Sequence, residues 1–85
     1  MKEVLIYTTG YCPYCSKAKM FLDNLGVAYK AISLDEDAEL RESLIQKHNW
    51  QTVPMIIVGD TFVGGFDDMI ELHMSGELMK LVQGE

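Results

Sequence analysis

Residues 4–15 read Val4-Leu5-Ile6-Tyr7-Thr8-Thr9-Gly10-Tyr11-Cys12-Pro13-Tyr14-Cys15, and this stretch decides the fold. A short apolar run, Val4 to Tyr7, passes through a turn into a cysteine pair, and a helical pattern follows. Cys12 and Cys15 are the two cysteines of the chain. Residues three apart on a helix are neighbours, with Cβ atoms about 5–6 Å apart. Bridged cysteines have Cα atoms about 4.4–6.8 Å apart, so the pair can open and close with little backbone motion. A helix start carries unsatisfied N–H groups and partial positive charge, which favour a thiolate. The pattern points to thiol–disulfide exchange.

Working outward, Lys2 to Thr8 is a strand, expected to be buried on both faces because its apolar residues are contiguous. Pro13 suits a first helical turn, where a missing N–H costs nothing. Ala18, Phe21, Leu22 and Leu25 then mark one helix face, and Gly26 with Val27 closes that helix. Ala28 to Leu34 is a second strand. Asp35 is the expected N-cap of a second helix, with Glu36 and Asp37 in its first turn and Leu40, Leu44 and Ile45 as its buried stripe. Thr52 to Val58 is a third strand interrupted by Pro54, which argues against full pairing there. Gly59-Asp60 turns the chain into a short strand, Thr61 to Val63, and Gly64-Gly65 ends it. Asp67 or Asp68 caps a last helix, which Gly76 interrupts before Leu78 to Val82. The order is β-α-β-α-β-β-α. It predicts an α/β fold: a mixed four-stranded sheet with helices on both faces, the first two strands parallel.

With 85 residues the chain is expected to form one domain, residues 1–85. A hydrophobic content of 48% fits a packed globule. No apolar stretch approaches the roughly 20 residues of a membrane span, and with Glu3 ahead of a short apolar run no signal peptide is expected. The expected setting is cytoplasmic, where a disulfide is usually transient and catalytic. A net charge of −6 argues against binding a phosphate backbone. The expected state is a monomer that binds neither nucleic acid nor membrane.

The element order and three motifs together resemble the glutaredoxins, dithiol class, of the thioredoxin superfamily. The motifs are Cys12-Pro13-Tyr14-Cys15, Thr52-Val53-Pro54 and Gly64-Gly65-Phe66-Asp67-Asp68. The resemblance spans essentially the whole chain and implies a thioredoxin-like fold and roles at the matching positions. Cys12 is then the nucleophile that takes up glutathione as a mixed disulfide, and Cys15 the resolving thiol. Pro54 is a cis-proline facing the disulfide, with Val53 offering backbone hydrogen bonds to the glutathione cysteine and Thr52 in the same groove. Asp67 and Asp68 hold the γ-glutamyl end, the first through its backbone and the second through its side chain. Tyr14 lines the groove. The chemistry is compatible. A proline beside the reactive sulfur removes a donor, and a helix start with an acidic residue can satisfy both the carboxylate and the ammonium of a γ-glutamyl group.

The chain departs from the family pattern twice. Many relatives carry a lysine three residues before the first cysteine, where this chain has Thr9; Lys17 and Lys19 are candidates to substitute for it. Phe66 stands where many relatives have a further cysteine.

Other readings of single residues are plainer. A Cys-x-x-Cys pair can be half of a zinc site, but His48 and His73 are too far apart in sequence for the second half, and both read as surface or helix-terminal residues. Met20, Met55, Met69, Met74 and Met79 read as core filler, with Met55 beside Pro54 the one to watch. Trp50 is either packed or at the border of the substrate face.

The resemblance therefore implies a glutathione-dependent thiol–disulfide oxidoreductase. Its partners are glutathione and disulfide-containing or glutathionylated proteins, and it needs no metal or prosthetic group. Two alternatives remain. One is a dedicated electron donor to one reductase, such as ribonucleotide reductase, recharged by a thioredoxin reductase. The other is an iron–sulfur carrier with Cys12 and glutathione bridging a dimer, against which Pro13 weighs.

Overall fold

The computed structural model describes residues 2–84. Its elements run β1 (Val4–Thr8), α1 (Pro13–Asn24), β2 (Lys30–Ser33), α2 (Ala38–His48), β3 (Met55–Val58), β4 (Thr61–Gly64), α3 (Phe66–Met74) and α4 (Glu77–Gln83). One sheet has the strand order β2-β1-β3-β4. β1 and β2 are parallel, with Leu5 opposite Lys30 and Thr8 opposite Ser33. β1 and β3 are antiparallel, with Tyr7 opposite Met55, and β3 pairs β4 antiparallel. The sheet is the expected mixed one.

β1 alternates rather than burying both faces alike: Val4, Ile6 and Thr8 are buried, Leu5 and Tyr7 half-buried. The reason is uneven cover. On one face Val4, Ile6, Ile56 and Val58 pack with Ala18 and Leu22 of α1, Met69 of α3, and Leu78 and Val82 of α4. On the other, α2 brings Leu44, Leu40 and Ile45 against Leu34, Met55, Tyr7 and Phe62. A single helix covers less of a sheet than three. Removing a core side chain from the better covered face, such as Leu22 or Met69, is worth about 2–5 kcal/mol.

Helix ends follow backbone hydrogen-bond demand. At the end of α1, Gly26 has φ +72°, its N–H reaches the Asp23 carbonyl at 3.0 Å, and the Val27 N–H reaches the Leu22 carbonyl at 3.0 Å. This pairing satisfies the last carbonyls of the helix. At α2 the cap is Asp37, not Asp35. The Asp37 carboxylate accepts the Leu40 N–H at 3.0 Å, while the Asp35 carboxylate accepts from the Ser33 hydroxyl at 3.3 Å. Both acids had the right chemistry, and the later one has the right reach. At α3 the N-cap is Gly65, with Asp67 and Asp68 in the first helical turn. Gly76, with φ +82°, separates α3 from α4, so the last helix is two.

β2 and β3 are shorter than the sequence suggests, and the shortening of β3 matters. Pro54 lies just before the strand. β3 is a central strand, where a proline would remove a ladder hydrogen bond. Of the methionines, Met55 and Met69 are core, but Met20 and Met74 are exposed, at 64% and 80%. Those two lie on the outer surfaces of α1 and α3, where hydropathy alone does not report burial.

Candidate active site

The strand pairing brings three loops to one end of the sheet. β1 ends at Thr8 and runs into Cys12 at the start of α1. β3 is antiparallel to β1, so its beginning, at Pro54 and Met55, lies at that same end. β4 is antiparallel to β3, so its last residue, Gly64, is there too, and α3 starts two residues on. The three sequence motifs, 40 or more residues apart at the extremes, therefore meet.

Cys12 and Cys15 form a disulfide with Cα atoms 5.1 Å apart. Cys12 is the N-cap of α1, and its Sγ accepts the Cys15 N–H at 3.0 Å. That bond, with the helix start behind it, stabilises negative charge on the Cys12 sulfur once the pair is reduced. Access is unequal. Cys15 is buried at 2% exposure, whereas Cys12 is half-buried. Attack on or by a sulfur requires a path to it, so Cys12 is the sulfur available from outside.

Val53–Pro54 is a cis peptide bond, and the Cys12 Sγ lies 3.8 Å from the Val53 carbonyl oxygen. This places the proline loop opposite the disulfide. Pro54 itself is buried and Thr52 exposed.

Beside this pair lies a groove of about 370 Å³. It is lined by all six of the ligand positions expected from sequence: Tyr14, Thr52, Val53, Pro54, Asp67 and Asp68. Asp68 turns back to accept the Gly65 N–H at 3.0 Å. Asp67 is exposed at the groove rim. Tyr14, 54% exposed, stands 6.2 Å from the Phe66 ring and carries the Lys17 ammonium 5.0 Å from its own ring centroid. Of the two lysines suggested as substitutes for a cation at Thr9, Lys17 is thus the one that sits against a groove-lining ring. Lys19, two residues on, does not share that helix face.

Three lining residues were not assigned from sequence: Trp50, Gly65 and Phe66. Phe66 and Gly65 adjoin Asp67 in the chain, and adjacency was their signal. Trp50 had none. It reaches the groove because Asn49 ends α2 in a left-handed conformation, φ 51° and ψ 48°, which turns the chain. Behind Trp50, Phe62 meets its ring edge-on at 5.5 Å and stacks on His48 at 4.3 Å. Burial, and secondarily the Lys47 charge, hold the His48 pKa below its ordinary value. His48 ends α2 and His73 sits exposed in the last turn of α3, as expected of helix-terminal residues. Among the described residues no cluster of three or more histidine, cysteine or acidic side chains could hold a metal ion.

The glutaredoxin family model matches residues 4–63. The chain belongs to the glutaredoxin family. It is 45% identical to a glutaredoxin of Pseudomonas aeruginosa over 82 residues, covering 96% of this chain and 98% of the relative. It is 37% identical to glutaredoxin 3 of Escherichia coli over 83 residues, covering 98% of this chain and all of the relative. The fold superposes on a crystal structure of a buckwheat glutaredoxin–glutathione complex with a TM-score of 0.90 at 30% identity, covering 98% of this chain and 78% of that one. Glutaredoxins are thiol–disulfide oxidoreductases of the thioredoxin superfamily, and Cys12 and Cys15 form the redox-active pair of this one.

Proposed function

We propose that this glutaredoxin uses glutathione to reduce protein and small-molecule disulfides and glutathionylated substrates. The supporting observation is the groove: Tyr14, Thr52, Val53, Pro54, Asp67 and Asp68, drawn from three separate motifs, line one cavity beside the accessible sulfur Cys12. The buckwheat relative was solved with glutathione.

In the monothiol cycle the Cys12 thiolate attacks the glutathione sulfur of a glutathionylated substrate. The substrate leaves as its thiolate, and Cys12 holds glutathione as a mixed disulfide. A second glutathione thiolate attacks the glutathione sulfur of that intermediate, and Cys12 departs as thiolate with release of oxidised glutathione. In the net exchange one free glutathione is oxidised, the other half of the oxidised glutathione coming from the substrate, and the substrate thiol is set free. With a protein disulfide, Cys12 forms the mixed disulfide with the protein, and Cys15 attacks the Cys12 sulfur. The protein thiol is released, the Cys12–Cys15 bond forms, and two glutathiones reduce it.

The residues divide the work. The start of α3 offers N–H groups to the γ-glutamyl carboxylate, and the Asp68 carboxylate faces its ammonium. Val53 presents its backbone to the glutathione cysteine, and Thr52 and Tyr14 bound the groove. The protein acts as a monomer in a reducing compartment such as the cytoplasm, where such a pair stays transient. A glutathione-coupled assay on a small glutathione mixed disulfide tests the proposal. Saturable turnover with glutathione is the expected result. Turnover with a thioredoxin reductase and none with glutathione would reassign the protein as a reductase-driven electron donor.

A further inference from the structure

Trp50 is a large groove-lining side chain that lies outside all three motifs. Its ring lies against the turn that starts α3. A Cβ on Gly64 would lie 3.2 Å from Trp50 Cη2 and 2.8 Å from Asp68 Oδ2. A Cβ on Gly65 would lie 3.7 Å from Trp50 Cζ2 and 3.8 Å from the Pro54 carbonyl oxygen. The indole and the Asp68 carboxylate thus both crowd the space that a side chain at Gly64 would need, and the turn packs closely on Trp50. Trp50 also lines the groove together with Thr52, Val53 and Pro54. One ring therefore spans the two walls that present backbone to a ligand, the proline loop and the α3 start.

The indole is held by ring packing. Phe62 meets it edge-on at 5.5 Å with planes at 67°, and His48 backs Phe62 in a near-parallel stack at 12°. Trp50 Nε1 is buried and has no hydrogen-bond partner among the described residues. Among the described residues its place rests on ring packing, which an aromatic ring without that N–H can also supply.

We infer that Trp50 is a positioning residue for the γ-glutamyl subsite: it sets the separation of the Thr52–Pro54 loop from the Gly64-Gly65 turn, and so the place of the α3 N–H groups and Asp68. This deepens the glutathione reading and rests on it. The chemical class served is a γ-glutamyl thiol peptide. Attack by Cys12 on a reagent without a γ-glutamyl group does not require the indole.

Two measurements test this. In the first, Trp50→Ala, Trp50→Phe and the parent are compared for the KM of glutathione and for iodoacetamide alkylation of reduced Cys12. Displacing reacting groups by an ångström can change rates by about a hundredfold. The expected result is a rise in KM of about tenfold or more for Trp50→Ala, substantial rescue by Trp50→Phe, and alkylation within about twofold of the parent in both. An unchanged KM in Trp50→Ala overturns the inference. So does an equal loss in KM and alkylation, which marks a packing defect without selectivity.

The second measurement needs no variant, and it stands if Trp50→Ala fails to fold. Trp50 is the single tryptophan of the chain, so its emission is assignable. S-methylglutathione, which cannot exchange, is titrated into the reduced protein and followed by calorimetry and by tryptophan emission. The expected result is one midpoint in both. Calorimetric binding with no change in emission overturns the inference while leaving the glutathione reading in place. No calorimetric binding overturns that reading, and the inference with it.

Discussion

The Asp68 carboxylate accepts the N–H of Gly65 at 3.0 Å, so the acid closes the start of the helix on which it sits. A carboxylate has about four acceptor positions. One bond to Gly65 leaves capacity for an ammonium in the groove, and the same side chain can serve both as a cap and as a ligand. Substitution separates the two roles. Asp68→Asn keeps an acceptor for Gly65 and loses the charge. It should melt close to the parent yet raise the KM for glutathione by roughly tenfold, the worth of a charged hydrogen bond at about 1.5 kcal/mol. Asp68→Ala should show the same KM effect and lose a further ~1 kcal/mol of stability with the cap. Steady-state kinetics beside thermal melts read both. A parent-like KM in Asp68→Asn would reduce Asp68 to a cap.

The unequal exposure of the two cysteines predicts a division of labour. Cys15→Ser should retain reduction of glutathionylated substrates, since the accessible Cys12 and a second glutathione complete that cycle. It should lose most reduction of protein disulfides that need a resolving thiol. Cys12→Ser should lose both. Substantial activity in Cys12→Ser would assign the nucleophile to the wrong sulfur.

The Cys15 N–H on the Cys12 sulfur and the start of α1 predict a reduced Cys12 more acidic than an ordinary thiol of pKa ~8.5. The advantage for attack is limited. Once the thiolate predominates, nucleophilicity falls by about half a log unit per pKa unit. The gain belongs to the step in which Cys12 leaves its mixed disulfide with glutathione. Iodoacetamide alkylation of Cys15→Ser across pH should give a midpoint clearly below 8.5. A midpoint at or above that value would remove the helix-start argument.

Gly64 has φ +112° and is pressed by Asp68 and Trp50. Gly64→Ala adds a Cβ both in a backbone region closed to L-residues and in the path of two side chains. A loss of about 1–3 kcal/mol is expected, with a weaker hold on glutathione. Chemical denaturation measures the first, and a parent-like midpoint would contradict the crowding at this turn.

His48 makes stability depend on pH. Burial first, and the Lys47 charge second, lower its pKa in the folded protein. Below an unfolded pKa of about 6.5 the unfolded chain therefore binds more protons than the native one. The His48 contribution is complete above that pH and is lost as pH falls through the lowered folded value. Melting temperature should decline from pH 7 to pH 5, and His48→Gln should flatten that decline. An identical decline in the variant would assign it to other groups.

Local signals in the sequence carried much of this protein. Pro13, the Ala18-Phe21-Leu22-Leu25 stripe and Gly26 define α1 because propensity, periodicity and capping act within a few residues. Gly59-Asp60 marks the hairpin for the same reason. The motif at Cys12 and Cys15 announces its chemistry because a helix start and an i, i+3 spacing are local facts. Three acids within three residues, Asp35, Glu36 and Asp37, all suit a helix start, and only the packed backbone shows that Asp37 reaches the Leu40 N–H. Met20 and Met74 have the composition of core and the position of surface, because burial depends on what covers a helix. The groove itself belongs to tertiary structure. Antiparallel pairing of β1, β3 and β4 brings Cys12, Pro54 and Gly65 to one end of the sheet, and a left-handed turn at Asn49 swings Trp50 between two of its walls. Chemistry that resides in one side chain can be read from the chain, whereas a cavity is a relation between distant segments and exists only once the sheet has paired them.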